Sequence, residues 1–223
     1  MKDDLICFDL DQTLIETKRA HLEAFNLGFK KMGFSGISLK KLKPLLDGRH
    51  AGEVLRTLLP NVPEEKIRIL RELHHNYIKK TAKYVKPIKN VIKTLKILKK
   101  EYKIALVTNC THKELNHLLK HSKINRKLFD VIIGHDDVKR TKPYPDEIFK
   151  AEKLLHIEAN YHVGDSIYDI IAAKRAKVKS IAVLTGVSGK NKLKKYKPDY
   201  IIKDVNYLPK LLRNINKWVM IIK

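Results

Sequence analysis

The chain has 223 residues, 43% of them hydrophobic and 32% charged, a balance that supports a folded core and excludes a disordered protein. Its net charge of +23 invites an anionic partner, but residues 15–83 hold 15 basic and 7 acidic side chains and the remainder 32 and 17, so no segment owns the excess. Solvated lysine faces are expected, with nucleic-acid binding at most weak and non-specific. The two cysteines, Cys7 and Cys110, offer neither a disulfide framework nor metal-ligand spacing, and no apolar run reaches the roughly 18 residues of a membrane span, so a cytoplasmic protein without a membrane partner is expected.

The first apolar run, residues 5–10 (LICFDL), is short and nearly continuous, as a strand covered on both faces should be. It ends in Asp9 and Asp11, with Thr13 two positions further on. Carboxylates gathered at the end of a buried strand cost desolvation and mutual repulsion unless a cation or a reaction offsets them. From 15 to 83 the pattern changes to helical periods at 19–32, 38–46, 50–59 and 64–80, broken by Gly33, Gly36, Gly48 and the PNVPEE turn, with no convincing strand.

Strand-like runs then return at 103–108, 130–134, 160–165, 179–186 and 199–202, and helical stretches such as 88–102 and 144–156 separate them. This alternation predicts an α/β fold: a Rossmann-like parallel sheet core with helices on both faces, formed by residues 1–14 and 84–223, plus an inserted α-helical cap domain at 15–83. In such a sheet the strand ends converge. They bring Thr108 and Asn109 (VTN), Lys142 (KPYP), and Asp165 and Asp169 (GDSIYD) toward Asp9 and Asp11. Alone, each has a plainer reading: Thr108 as a strand-end hydroxyl, Lys142 as a surface lysine, Asp165 as a helix cap. His117 and His121, four apart on a predicted helix, lack a third ligand and read as a solvated face, and His74 and His75 are read the same way.

Four motifs in this order resemble the haloacid dehalogenase-like hydrolase superfamily, specifically its phosphoglycolate phosphatase-like branch with a helical cap. FDLDQTLIET is similar to the first motif, Thr108 to the second, Lys142 in TKPYPDEIF to the third and VGDSIYDIIAAKRA to the fourth. The resemblance implies a Mg²⁺-dependent phosphatase hydrolysing a small phosphorylated metabolite through an aspartyl phosphate. Asp9 would be the nucleophile and Asp11 the general acid/base, its pKa raised by crowding from Asp9. Mg²⁺ would be held by Asp9, the backbone carbonyl of Asp11 and Asp165, with Asp169 and Thr13 supporting. Thr108 and the amide of Asn109 would bind the phosphoryl group, beside the positive charge of Lys142.

Arg49, between two cap helices, is a secondary candidate for substrate contact against a surface-arginine reading. The alternatives are a sugar phosphomutase of the β-phosphoglucomutase kind and a nucleic-acid-binding protein on the same scaffold. Two positions depart from the pattern: Gln12 and Lys177 stand where the family commonly has glycine. The sequence leaves open which phosphorylated substrate is used and the oligomeric state.

Overall fold

Along β1 (Leu5–Phe8) every side chain is buried, and alternation sends Leu5 and Cys7 to one face and Ile6 and Phe8 to the other. A strand apolar on both faces belongs in the middle of a covered sheet, and that is where it lies in the computed structural model, which describes residues 4–222. β4 (Lys103–Val107), β5 (Val131–Ile133), β6 (Ala159–Gly164), β7 (Lys179–Val183) and β8 (Tyr200–Ile202) complete a parallel sheet of six strands in the order β5-β4-β1-β6-β7-β8.

Ile6 and Phe8 pack with residues of α5 (Val91–Leu98), α6 (His112–Ser122) and α10 (Leu208–Ile222). Leu5 and Cys7 pack with residues of α7 (Asp146–Leu155) and α8 (Ile167–Arg175). α9 (Lys190–Lys195) buries only Leu193 and leaves its lysines in solvent.

Four helices interrupt the sheet's sequence: α1 (Lys18–Lys31), α2 (Leu39–Leu42), α3 (Ala51–Leu58) and α4 (Glu64–Thr81). They gather Phe25, Phe29, Leu42, Leu55, Ile67 and Leu70 into an apolar cluster of their own. One feature departs from the strandless reading of 15–83. Ile15–Glu16 forms a short strand, β2, antiparallel to β3 (Lys86–Pro87), with Ile15 opposite Pro87. This pair joins the two chain crossings between the helices and the sheet.

Candidate active site

The sheet order reverses around β1: β4 and β5 lie on one side and β6 to β8 on the other. Such a switch point opens a crevice at the carboxyl ends of the strands. Register fixes what faces it. Phe8 pairs with Leu106 and Val163, so Asp9, Thr108 and Asp165 follow as near neighbours.

Lys142, 4% exposed, reaches in from the loop before α7 and donates to Asp9 Oδ1 at 2.6 Å, Asp169 Oδ1 at 2.8 Å and the Val107 carbonyl at 3.2 Å. Burial opposes its charge, but Asp169 and Asp9 outweigh burial and hold the ammonium well above its ordinary pKa. The surface-lysine reading of Lys142 is therefore wrong. Asp169 is the third residue of α8 and shares a capping box with Ser166, its Oδ2 accepting from the Ser166 amide at 3.1 Å. Burial works against Asp169, yet Lys142 and His162, whose Nε2 lies 3.1 Å from Oδ1, hold its pKa below the usual carboxylate range.

Ser166 thus caps α8, and the cap reading of Asp165 falls. Asp165 is 4% exposed and accepts from the Thr13 hydroxyl at 3.3 Å. A Cβ on Gly186 would sit 1.9 Å from its Oδ2, so glycine there lets the backbone close over the carboxylate.

Asp9, Asp165 and Asp169 each bring a carboxylate oxygen within 4.8 Å of the others. Burial first, then the neighbouring acids, pushes Asp9 up to about 7 against the pull of Lys142, and pushes Asp165 well above its ordinary value. Lys142 pairs with only two of these three buried carboxylates, so ionising all three leaves negative charge uncompensated, and an all-oxygen donor set suits a hard divalent cation such as Mg²⁺. Both oxygens of Asp169 already accept hydrogen bonds, so its part is to orient Lys142 and the loop.

Asp11 behaves otherwise than the sequence suggests. Burial raises its pKa, but His21, the Cys110 thiol and Thr17 outweigh burial and hold it below the ordinary value. Crowding by Asp9 is not decisive, because the Asp11 side chain turns away to Cys110 Sγ, 2.9 Å from Oδ2, and to His21 Nε2, 3.5 Å from Oδ1. Burial lowers the His21 pKa and Asp11 raises it further, so the imidazole ends above its usual range and a proton is kept beside the acid. His21, Cys110 and His162 escaped the sequence reading. The one signal for His21 was a histidine on the first helix after the D-x-D-x-T turn.

Thr108, 1% exposed, accepts from the Cys110 amide at 3.3 Å. The Asn109 side chain is committed elsewhere, donating to the Gly48 carbonyl at 3.0 Å and the Lys142 carbonyl at 3.1 Å. Arg49 lines the crevice, but its guanidinium pairs with buried Asp47, Nε to Oδ1 at 3.0 Å, and Asp47 also takes Lys192 of α9 at 3.2 Å. Gln12 adopts a left-handed φ of +59° and its amide donates to Thr17 Oγ1 at 2.9 Å. The turn forms without glycine. Between the sheet ends and the helices lies a cleft of about 730 Å³, part of it open to solvent. Among the described residues no helix is long and apolar enough to cross a membrane.

Residues 6–183 match the family model described as haloacid dehalogenase-like hydrolase. A pyrophosphatase PpaX of Bacillus mycoides is 31% identical over 219 residues, which cover 97% of this chain and all of that one. A haloacid dehalogenase-like family hydrolase from Streptococcus pneumoniae superposes with a TM-score of 0.82 at 22% identity, covering 95% of this chain and 99% of its own. A hydrolase from Pseudomonas syringae gives 0.81 at 23% identity, with coverage of 95% and 99%. The family match runs from β1 through β7 and takes in the helices between them and every strand-end acid, and the chain belongs to the haloacid dehalogenase-like hydrolases.

Proposed function

We propose that the chain is a Mg²⁺-dependent phosphatase acting on small phosphorylated compounds through a phosphoryl group carried on Asp9. The observation that carries this reading is the buried ion pair of Asp9 and Lys142 at 2.6 Å, set at the switch point beside a second acid two residues along. Lys142 occupies Oδ1 of Asp9, which leaves Oδ2 to attack phosphorus in line with the departing oxygen. The new bond is Asp9 O–P, and the bond to the leaving oxygen breaks.

Asp11 protonates that oxygen, drawing on the proton that His21 keeps beside it, and then takes a proton from the water that cleaves the acyl phosphate. Thr108 Oγ1 and the Asn109 amide receive the phosphoryl oxygens. Asp9, the Asp11 carbonyl and Asp165 would hold Mg²⁺, whose charge offsets that of the phosphoryl group. Residues 15–83 serve as the cap: they close the cleft, exclude water and choose the substrate, with Arg49 held near the entrance by Asp47.

The Bacillus mycoides relative is named a pyrophosphatase, so inorganic pyrophosphate joins two- and three-carbon phosphomonoesters in the substrate class. The test is a phosphate-release screen over these compounds with Mg²⁺. Turnover should vanish in EDTA, and Asp9→Asn should lose both turnover and the trapped phosphoenzyme. Mg²⁺ should also raise the melting temperature of the wild type and do so less in Asp165→Asn. Wild-type turnover in Asp9→Asn, or full activity after chelation, would overturn the reading.

A further inference from the structure

Past Asp11 the cleft runs on to a second polar cluster that the chemistry above leaves unused. α4 contributes His74 and His75, and α6 contributes Glu114; His74 is 2% and Glu114 3% exposed. Oε2 of Glu114 is occupied, accepting from the Thr111 amide at 3.0 Å and the Thr111 hydroxyl at 2.9 Å. Oε1 faces two imidazoles: His75 Nδ1 at 2.8 Å and His74 Nδ1 at 3.8 Å. His74 Nδ1 has no hydrogen-bond partner, and the three ligand atoms lie within 4.8 Å of one another.

The far side of His74 decides what its Nδ1 offers. His74 Nε2 is 3.1 Å from His21 Nδ1, and His21 Nε2 is 3.5 Å from Asp11 Oδ1. His21, which keeps its proton beside Asp11, donates from both ring nitrogens, so with no metal bound His74 accepts on Nε2 and carries its own proton on Nδ1. A metal ion on His74 Nδ1 would displace that proton, with His21 Nδ1 passing its own to His74 Nε2, so one proton leaves the pair on binding.

We infer that His74 Nδ1, His75 Nδ1 and Glu114 Oε1 form a binding site for a divalent transition-metal ion of the zinc class, with solvent from the cleft as fourth ligand. Two imidazoles and one carboxylate suit zinc, cobalt or nickel far better than Mg²⁺, which prefers oxygen. The ion joins α4 of the helical unit to α6 of the sheet unit. It would also fix the tautomer of His74, and through it the orientation of His21 toward Asp11. The inference stands independently of the phosphatase reading.

The experiment is a Co²⁺ titration of the full chain in excess Mg²⁺, which fills the oxygen-rich site, read by the visible absorption of four-coordinate Co²⁺ and by melting temperature. One equivalent should bind, Zn²⁺ should displace it, and Zn²⁺ should raise the melting temperature above that in Mg²⁺ alone. His75→Ala, at the more exposed imidazole, and Glu114→Gln should each weaken Co²⁺ binding by about tenfold or more, with circular dichroism reporting the fold of each variant. Absence of a Mg²⁺-resistant Co²⁺ site in the wild type would overturn the inference. So would a spectrum and affinity unchanged in both variants, which would assign the ion to other histidines.

Discussion

Glu147, on α7, is fully buried with neither carboxyl oxygen hydrogen-bonded. Burial pushes its pKa from 4.5 to about 8, against the pull of Lys142. Between those two pH values the folded chain holds a proton that the unfolded chain has released, so this group makes stability fall as pH rises. Glu147→Gln removes the dependence. The variant should gain a few kcal/mol on the wild type at pH 8 and little at pH 5, measured by urea unfolding at both. Lys177, exposed and at a φ of +60°, is a simpler case. A left-handed non-glycine residue costs about 1–2 kcal/mol, and glycine gives back roughly 0.5–1 in backbone entropy. Lys177→Gly should therefore stabilise the chain by about 0.5–1 kcal/mol, with the denaturant midpoint as the check. At this scale the sequence is legible where burial and charge conflict. Asp9, Asp11 and Asp165 stand out because acids at the ends of apolar runs need a reason. His21, His74 and Glu114 do not stand out, because their meeting depends on helices packing across gaps of 53 and 40 positions or so, and no local pattern records it.

The seam between the helical unit and the sheet is built from backbone as much as from side chains. Gly48, in the loop before α3, has a φ of +101°, and a Cβ there would lie 2.6 Å from Ser166 Oγ at the start of α8. Its carbonyl accepts from Asn109, so the loop is held against both strand-end loops. Gly48→Ala combines a left-handed penalty with this clash. It should cost roughly 1–3 kcal/mol of stability and raise KM more than it lowers kcat, because the closed arrangement becomes less populated. Urea unfolding and steady-state kinetics on the best substrate check both parts, and an unchanged KM would mean that this contact does not shape the cleft. The six strands of the sheet are readable from their length and continuity, since a strand covered on both faces leaves a solid apolar run. β2 and β3 are not readable, because two residues apiece contain no period and their pairing spans the whole helical unit.

The charge of the whole molecule separates surface from site. Its +23 is spread over solvated lysines such as those of α9, whereas Lys142 is buried and already paired with two carboxylates. Salt screens the first kind of charge over about 10 Å at 0.1 M and hardly reaches the second. Binding of DNA or RNA, if it rests on dispersed lysines, should be independent of sequence and fall by about a thousandfold between 50 and 200 mM salt, as counterion release requires. Over the same range kcat on a small phosphorylated substrate should change by less than about twofold, because its contacts are enclosed. One salt titration read by nucleic-acid binding and by turnover tests both statements. Structure-selective binding that survives 200 mM salt, with no turnover of any small phosphorylated compound, would move the function to the basic surface and leave the strand-end acids without a reaction.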